Sequence, residues 1–352
     1  DRAAGIAGLI KTVLMLEHAQ IPPSLNFEVA NPEIDFESSP FFVNTKLRHW
    51  EPLDGLPRRA GVRSFGMGGT NAHAVLEEAP EVAPSGPSRE HQLLVLSAKS
   101  GAALEAASLA RGIHLYYLEK GFTEGTKSGP TDLVTQADRE AEEAVKGLLL
   151  SRFPEAGFLG EEGGSEGGKA LRFIVDPLDG TVNYAHGFPF FAVSIALEAE
   201  GAIQMGVVMD TARGEVFYAL RGEGAYLNGR PIRVTGRESL VGSLLATGFP
   251  YDVAKDPENL TYFERALGKG LLVRRPGAAA LDLAYVAAGR LEGFWEVKLN
   301  PWDVAAGWLL VEEAGGRVTD LEGNPYRLGS RYILATNGRV HEALRRTLLG
   351  LD

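Results

Sequence analysis

At 352 residues, the chain is long enough for two ordinary domains or for one large domain with an appendage; its 45% hydrophobic and 23% charged residues suit a water-soluble globular protein. It has no cysteine, which excludes disulfides, thiolate zinc sites, iron–sulfur clusters and a cysteine nucleophile. Its formal charge of -11, from 46 acids against 35 Lys plus Arg, offers no basic field to nucleic acid. No uniformly apolar run reaches about eighteen residues, and the amino end lacks the basic-then-apolar layout of a secretory signal, so a cytoplasmic protein with no membrane partner is expected.

Ile6, Leu9, Ile10, Val13 and Leu14 recur at the spacing of one helical face, and Pro22 and Pro23 end that helix. An extended stretch follows (26–44), then the glycine-rich GVRSFGMGGTNAHAVLEEAP from Gly61 to Pro80, read as a tight turn between strands. Residues 81–90, EVAPSGPSRE, have the composition of a linker. Beyond it, QLLVLSA (92–98) predicts a short strand and GAALEAASLARG (101–112) a helix.

From about Lys127 onward, strands and helices alternate densely. Thr135 and Asp138 have capping-box spacing ahead of a helix with Ala141, Ala144, Val145 and Leu148 on its apolar face. Phe158-Leu159 and Phe173-Ile174-Val175 are short strands that run straight into acids. Val216–Leu220 and Ala225–Leu227 predict antiparallel strands with Asn228-Gly229 as a hairpin turn. Asp303 opens an apolar helix, and residues 332–335 form a last strand before a terminal helix.

Three element ends carry the acids of interest: Glu161 and Glu162, Asp176 and Asp179, and Asp303. A strand that stops at Asp-Pro-Leu-Asp-Gly-Thr places two carboxylates at the carboxyl end of a sheet, where ligands of α/β folds bind. Grouped carboxylates raise each other's pKa unless cations intervene, and an all-oxygen donor set favours Mg²⁺ or Mn²⁺. Backbone N–H groups of Gly180 and Thr181 suit phosphate oxygens. Taken singly, each acid also has a plainer role: Asp176 and Asp179 in a solvated turn, Glu161 and Glu162 on the surface, Asp303 as a helix cap.

The motifs KSGPTDLVTQAD (127–138), GEE (160–162), DPLDGTVNYAHGFP (176–189), PGAAALDLAYVAAGRLEGFWE (276–296) and PWDVAAG (301–307) resemble the inositol monophosphatase family of Mg²⁺-dependent, lithium-sensitive sugar phosphatases, over about two thirds of the chain. The resemblance implies an α/β (α+β) architecture, the layered α-β-α-β-α sandwich, and a homodimer. It implies a first metal on Glu161, Asp176 and the Leu178 carbonyl, a second among Asp176, Asp179 and Asp303, and a third, weaker one on Glu161, with Mn²⁺ as a substitute for Mg²⁺. Thr181, oriented by Asp138, then positions the attacking water, and Glu161 shares in its activation. Asp179, Gly180, Thr181, Glu296 and the backbone of Gly277 and Ala279 bind substrate, an inositol or related sugar phosphate. Ala278 stands where some members have threonine. The family's long first helix is expected to be short and oddly composed here, over 109–126.

The first hundred residues resemble the C-terminal end of a modular polyketide synthase ketosynthase, a thiolase-like fragment, and its following linker: residues 3–51, 58–80 and 93–108 carry the likeness. This implies a chimera, with a catalytically inert segment 1–108 and a phosphatase domain 109–352. His73 takes a structural role, and apolar surface and strand edges are expected to be left open. Alternatives are a fructose-1,6-bisphosphatase-type specificity, or a non-catalytic fusion whose polyketide synthase segment is an assembly module.

Overall fold

A computed structural model describes residues 4–31, 34–36, 38–52, 56–65, 71–79, 94–127 and 133–351. The chain divides into two units, Asp1–His91 and Gln92–Asp352. The linker expected at 81–90 and the turn expected at 66–70 lie outside the described residues.

In the first unit, helix α1 (Ala4–His18) precedes a small antiparallel pair, β1 (Gln20–Ile21) with β2 (Arg48–His49). A hairpin follows, β3 (Arg59–Phe65) with β4 (Asn71–Glu77), placing His73 opposite Arg63. Of the apolar residues on α1, Leu16 is buried, whereas Ile10, Val13 and Leu14 stay about half exposed at 54%, 46% and 47%. Ile10, Leu14, Met15 and Leu47 line an apolar groove, in line with the open apolar surface expected of this segment.

The second unit opens with α2 (Leu94–Lys120), a helix of 27 residues. This corrects both the strand expected at 92–98 and the short first helix expected at 109–126; α2 also runs through the expected 108/109 boundary. A brief apolar run reads equally well as strand or buried helix, and here it continues into Ala102, Ala103, Ala106, Ala107 and Ala110, spaced three and four apart and fully buried. After the hairpin of β5 (Glu124–Thr126) and β6 (Leu133–Thr135) comes α3 (Gln136–Arg152), which packs beside α2.

An eight-stranded sheet then forms from β7 (Gly157–Gly160), β8 (Gly164–Glu166), β9 (Leu171–Asp179), β10 (Ala192–Ala199), β11 (Ala202–Asp210), β12 (Glu215–Leu220), β13 (Gly224–Leu227) and β14 (Arg230–Ile232), in the order 14-13-12-11-10-9-7-8. The expected Asn228-Gly229 turn closes β13 onto β14, with Leu227 opposite Arg230. The short helix α4 (Thr181–Ala185) leaves the end of β9. A five-stranded sheet comprises β15 (Leu244–Thr247), β16 (Leu272–Arg274), β17 (Gly293–Val297), β18 (Arg317–Thr319) and β19 (Tyr332–Thr336), in the order 16-15-17-19-18. The remaining helices are α5 (Glu258–Gly268), α6 (Ala279–Ala287), α7 (Pro301–Glu313) and α8 (His341–Leu349).

Strand alternation assigns the layers. Phe173 and Val175 of β9 face α2 and α3, in a core with Ala106, Val145, Leu149, Ile195 and Val207. Ile174 faces the other way, into the core that α6 and α7 share with both sheets, among Leu283, Val304, Leu309, Phe294 and Ala335. The far face of the smaller sheet, with Leu245, Trp295 and Leu334, packs on Tyr262 and Ala266 of α5 and Leu344 and Leu348 of α8. The second unit is thus the expected α-β-α-β-α sandwich, and the carboxyl end of β9 opens toward the start of α6.

Candidate active site

The site is built where the starts of α3, α6 and α7, the turn 160–163 and the ends of β9 and β17 meet. At the carboxyl end of β9, Asp176-Pro177-Leu178-Asp179 is followed by Gly180, the N-cap of α4, at φ 88°. A Cβ there would meet the Phe190 carbonyl oxygen at 3.0 Å, so glycine suits both the backbone angle and the space. Asn183 then ties α4 to the segment ahead of α6, donating from Nδ2 to the carbonyls of Phe190 (2.7 Å) and Pro276 (2.9 Å). That bond brings Gly277, Ala279 and the start of α6 alongside Gly180.

Asp138 is the junction between α3 and this turn. Its Oδ2 accepts the Thr135 N–H (2.8 Å) and hydroxyl (2.6 Å), completing the predicted capping box. Its Oδ1 accepts the Thr181 hydroxyl at 2.8 Å, with the Leu178 carbonyl oxygen 3.0 Å from the same hydroxyl. Burial pushes the Asp138 carboxyl up to about 6 although these hydrogen bonds favour its ionised form.

Asp176, Asp179, Asp303 and Glu161 lie close enough to perturb one another. Burial raises Asp176 well above the usual carboxylate range, and the charges of Glu161, Asp179 and Asp303 add to the rise. Asp179 is pushed up to about 7 by burial, against the pull of the α6 amino terminus, whose Ala280 N–H it accepts at 2.7 Å. Asp303 is raised by loss of water and by Glu161 and Asp179. The plainer reading of Asp303 as the residue that caps and opens its helix is corrected: α7 begins at Pro301 with Asn300 as its N-cap, and Asp303, in the first turn, closes the capping box, its Oδ2 accepting the Asn300 N–H at 2.7 Å. Glu161 is raised by loss of water, against the pull of Lys127, whose Nζ lies 2.7 Å from Glu161 Oε1 and also pairs with Glu162. Glu296, at the end of β17, is pushed to about 8 by burial and by Asp179. It packs against Gly248, where a Cβ would fall 2.2 Å from Oε2.

The fit to a hard cation follows from the donor set. Four carboxylates that oppose one another's ionisation, with a carbonyl beside them and no thiol in the chain, ask for oxygen-seeking positive charge. Lys127 supplies one such charge, on Glu161. Among the described residues no three acidic or imidazole side chains are drawn into a closed ligand cage. Each carboxylate is held instead by its own donor: Asp176 by the Leu178 N–H (3.0 Å), Asp179 by Ala280, Asp303 by Asn300 and Glu161 by Lys127.

Three residues here had no role from sequence. Lys127, the first residue of its motif, pairs with both Glu161 and Glu162. Glu142 lies one helical turn beyond Asp138, and its carboxylate accepts the Glu162 and Gly163 N–H groups. Asp282, buried in α6, has an Oδ1 atom without a hydrogen-bond partner and is raised well above its usual range by burial, Glu296 and Asp179. An acid four residues after Asp138, on the same helix face, was the legible signal for Glu142.

The inositol monophosphatase family model matches residues 94–350. The chain belongs to that family. Two other families match the amino end: the ketoacyl-synthetase C-terminal extension over 30–114 and the C-terminal domain of β-ketoacyl synthase over 1–28, so the chimeric composition is real. The chain is 47% identical over 224 residues to the Nus factor SuhB of Pseudomonas aeruginosa, spanning 62% of this chain and 83% of that protein. It is 46% identical over 225 residues to an inositol-1-monophosphatase of Rhizobium meliloti, spanning 62% and 84%. Among solved structures, the extragenic suppressor protein suhB of Bartonella henselae has a TM-score of 0.67 at 43% identity, covering 71% of this chain and 98% of that one. An inositol monophosphatase from Anabaena has a TM-score of 0.66 at 40% identity, covering 73% and 97%. No helix among the described residues is long and apolar enough to cross a membrane.

Proposed function

We propose that the chain is a Mg²⁺-dependent, lithium-sensitive phosphomonoesterase that hydrolyses inositol monophosphate or a closely related sugar phosphate. The observation that carries this reading is the Thr181 hydroxyl held on Asp138 Oδ1 at 2.8 Å beside the crowded acids Glu161, Asp176, Asp179 and Asp303. Glu161, Asp176, the Leu178 carbonyl, Asp179 and Asp303 would hold two or three Mg²⁺ ions, with Mn²⁺ as a substitute, and such ions neutralise phosphate charge and acidify water.

The protein's own groups then have distinct tasks. Asp138 fixes the Thr181 hydroxyl, and Thr181 orients a water for in-line attack on phosphorus. Glu161 takes part in removing that water's proton. The N–H groups of Gly180 and Thr181 face phosphate oxygens. Asp179, Glu296 and the backbone of Gly277 and Ala279 read hydroxyls of the sugar; Glu296 accepts from a hydroxyl when ionised and donates to one when protonated. No residue forms a phosphoenzyme.

The phosphatase unit starts near Gln92, where the chain divides, and the first unit is catalytically inert. A homodimer in the cytoplasm, with no nucleic-acid partner, completes the reading. Phosphate release from inositol 1-phosphate and from fructose 1,6-bisphosphate, with Mg²⁺, with EDTA and with added Li⁺, tests it. Mg²⁺-dependent, Li⁺-inhibited release that favours inositol 1-phosphate is expected. Preference for the bisphosphate would reassign the substrate, and no release from folded protein would leave a non-catalytic fusion.

A further inference from the structure

We propose that Glu142 is a positioning residue for Glu161, so that α3 sets both halves of the hydrolytic site with two carboxylates one helical turn apart. This rests on the reading of Glu161 as a metal ligand. Asp138 and Glu142 project from the same face of α3 and are both buried, at 0% and 5% exposure. Asp138 holds the Thr181 hydroxyl. Glu142 holds the turn 160–163, which carries Glu161: its Oε2 accepts the Glu162 N–H at 2.9 Å and its Oε1 the Gly163 N–H at 2.5 Å.

The turn is shaped to admit this carboxylate. A Cβ on Gly160 would lie 2.3 Å from Glu142 Oε2, and one on Gly163 would lie 2.8 Å from Oε1. Glycine on each side of Glu161-Glu162 therefore makes room for Glu142 to reach the backbone. Burying one more carboxylate beside an acidic site is unfavourable: loss of water raises Glu142, and the Glu162 charge adds to the rise. A residue serving only to fill space there would be apolar. What the carboxylate provides is acceptors for two backbone N–H groups, which fix the turn and thereby the direction in which Glu161 leaves it.

The test uses the full chain with Glu142→Gln, Glu142→Ala, Glu161→Gln and the double variant Glu142→Ala/Glu161→Gln, reading Mn²⁺ binding by electron paramagnetic resonance, the half-saturating Mg²⁺ for phosphate release, and thermal melting. Glu142→Ala is expected to weaken Mn²⁺ binding about 10- to 100-fold, with half-saturating Mg²⁺ rising in parallel. Glu142→Gln, which keeps one acceptor oxygen at the same reach, recovers most of that loss. In the Glu161→Gln background, Glu142→Ala adds no further loss, because it acts through Glu161. A lower melting temperature with unchanged Mn²⁺ affinity, or losses that add in the double variant, would overturn the proposal. Should Glu142→Ala fail to fold, Glu142→Met, which keeps the length of the side chain but offers no oxygen acceptor, takes its place, and wild-type Mn²⁺ affinity in that variant would overturn the proposal equally. Wild-type affinity in Glu161→Gln would instead bring down the metal reading itself, and this proposal with it.

Discussion

The Thr181 hydroxyl donates to Asp138 Oδ1 at 2.8 Å, which joins the first turn of α4 to the first turn of α3 at the point where β9 ends. Neither residue is free to turn: Asp138 is gripped by Thr135 through both its N–H and its hydroxyl, and Gly180 sets the entry angle of α4. A hydroxyl so held has a fixed direction, which is what orienting a water requires.

Thr181→Ala should therefore lower kcat about 100-fold or more, with a much smaller effect on half-saturating Mg²⁺, since positioning of the water is lost and no carboxylate is removed. Thr181→Ser keeps the hydroxyl and should retain most of the rate. Steady-state kinetics over a Mg²⁺ series checks both, and equal losses in Ala and Ser variants would contradict the role.

Much of this site is legible in sequence because its parts are local. Asp176 and Asp179 lie three positions apart at the end of one strand, and Thr135 and Asp138 make a capping box within one helix start. What escaped depends on distant partners. Glu142 shares a helix face with Asp138, but only the fold brings the turn 160–163 over it and so shows what it holds. Lys127 meets Glu161 across 34 positions in the chain. Only part of the helix α2 is legible, for a different reason: residues 101–112 read as helix, and their alanines pack under Phe173 and Ile195 of the sheet, whereas the brief apolar run ahead of them fits a strand equally well.

The pH dependence of metal stabilisation follows from the raised acids. Burial and neighbouring charge place Asp179 at about 7 and Glu296 at about 8, above their values in an unfolded chain. The stability that comes with these protonated groups is present below their unfolded pKa and is lost as pH rises through 7 to 8. His114 and His341, lowered by burial to about 3 and about 4, act only as pH falls below about 6.5, so the interval from 6.5 to 8 reports the acids. Metal-free protein should melt at a lower temperature at pH 8 than at pH 6.5. The rise in Tm on adding Mg²⁺ should be larger at pH 8, because Mg²⁺ binds the ionised acids. Calorimetry at the two pH values checks this; an equal or smaller rise at pH 8 would contradict it.

The placement of α2 predicts where the catalytic unit can be cut. Removing residues 1–91 leaves the helix whole and should preserve both folding and phosphatase rate. Removing residues 1–108 takes Ala102, Ala103, Ala106 and Ala107 out of the core under the large sheet. Each such loss exposes apolar neighbours as well as the methyl group itself, so the shorter protein should lose several kcal/mol, roughly the margin of an ordinary domain. Circular dichroism melts of the two truncations check this, and an equally stable protein from residue 109 would contradict it.

The most direct test of the central claim is phosphate release from inositol 1-phosphate by the full chain and by Asp179→Asn, each with saturating Mg²⁺ and with EDTA. The account predicts turnover that EDTA abolishes in the unaltered protein, and a loss of about 1,000-fold or more in the variant, which removes one charge from the acid cluster while changing little volume. Turnover that survives EDTA, or near-normal turnover in Asp179→Asn, would contradict it.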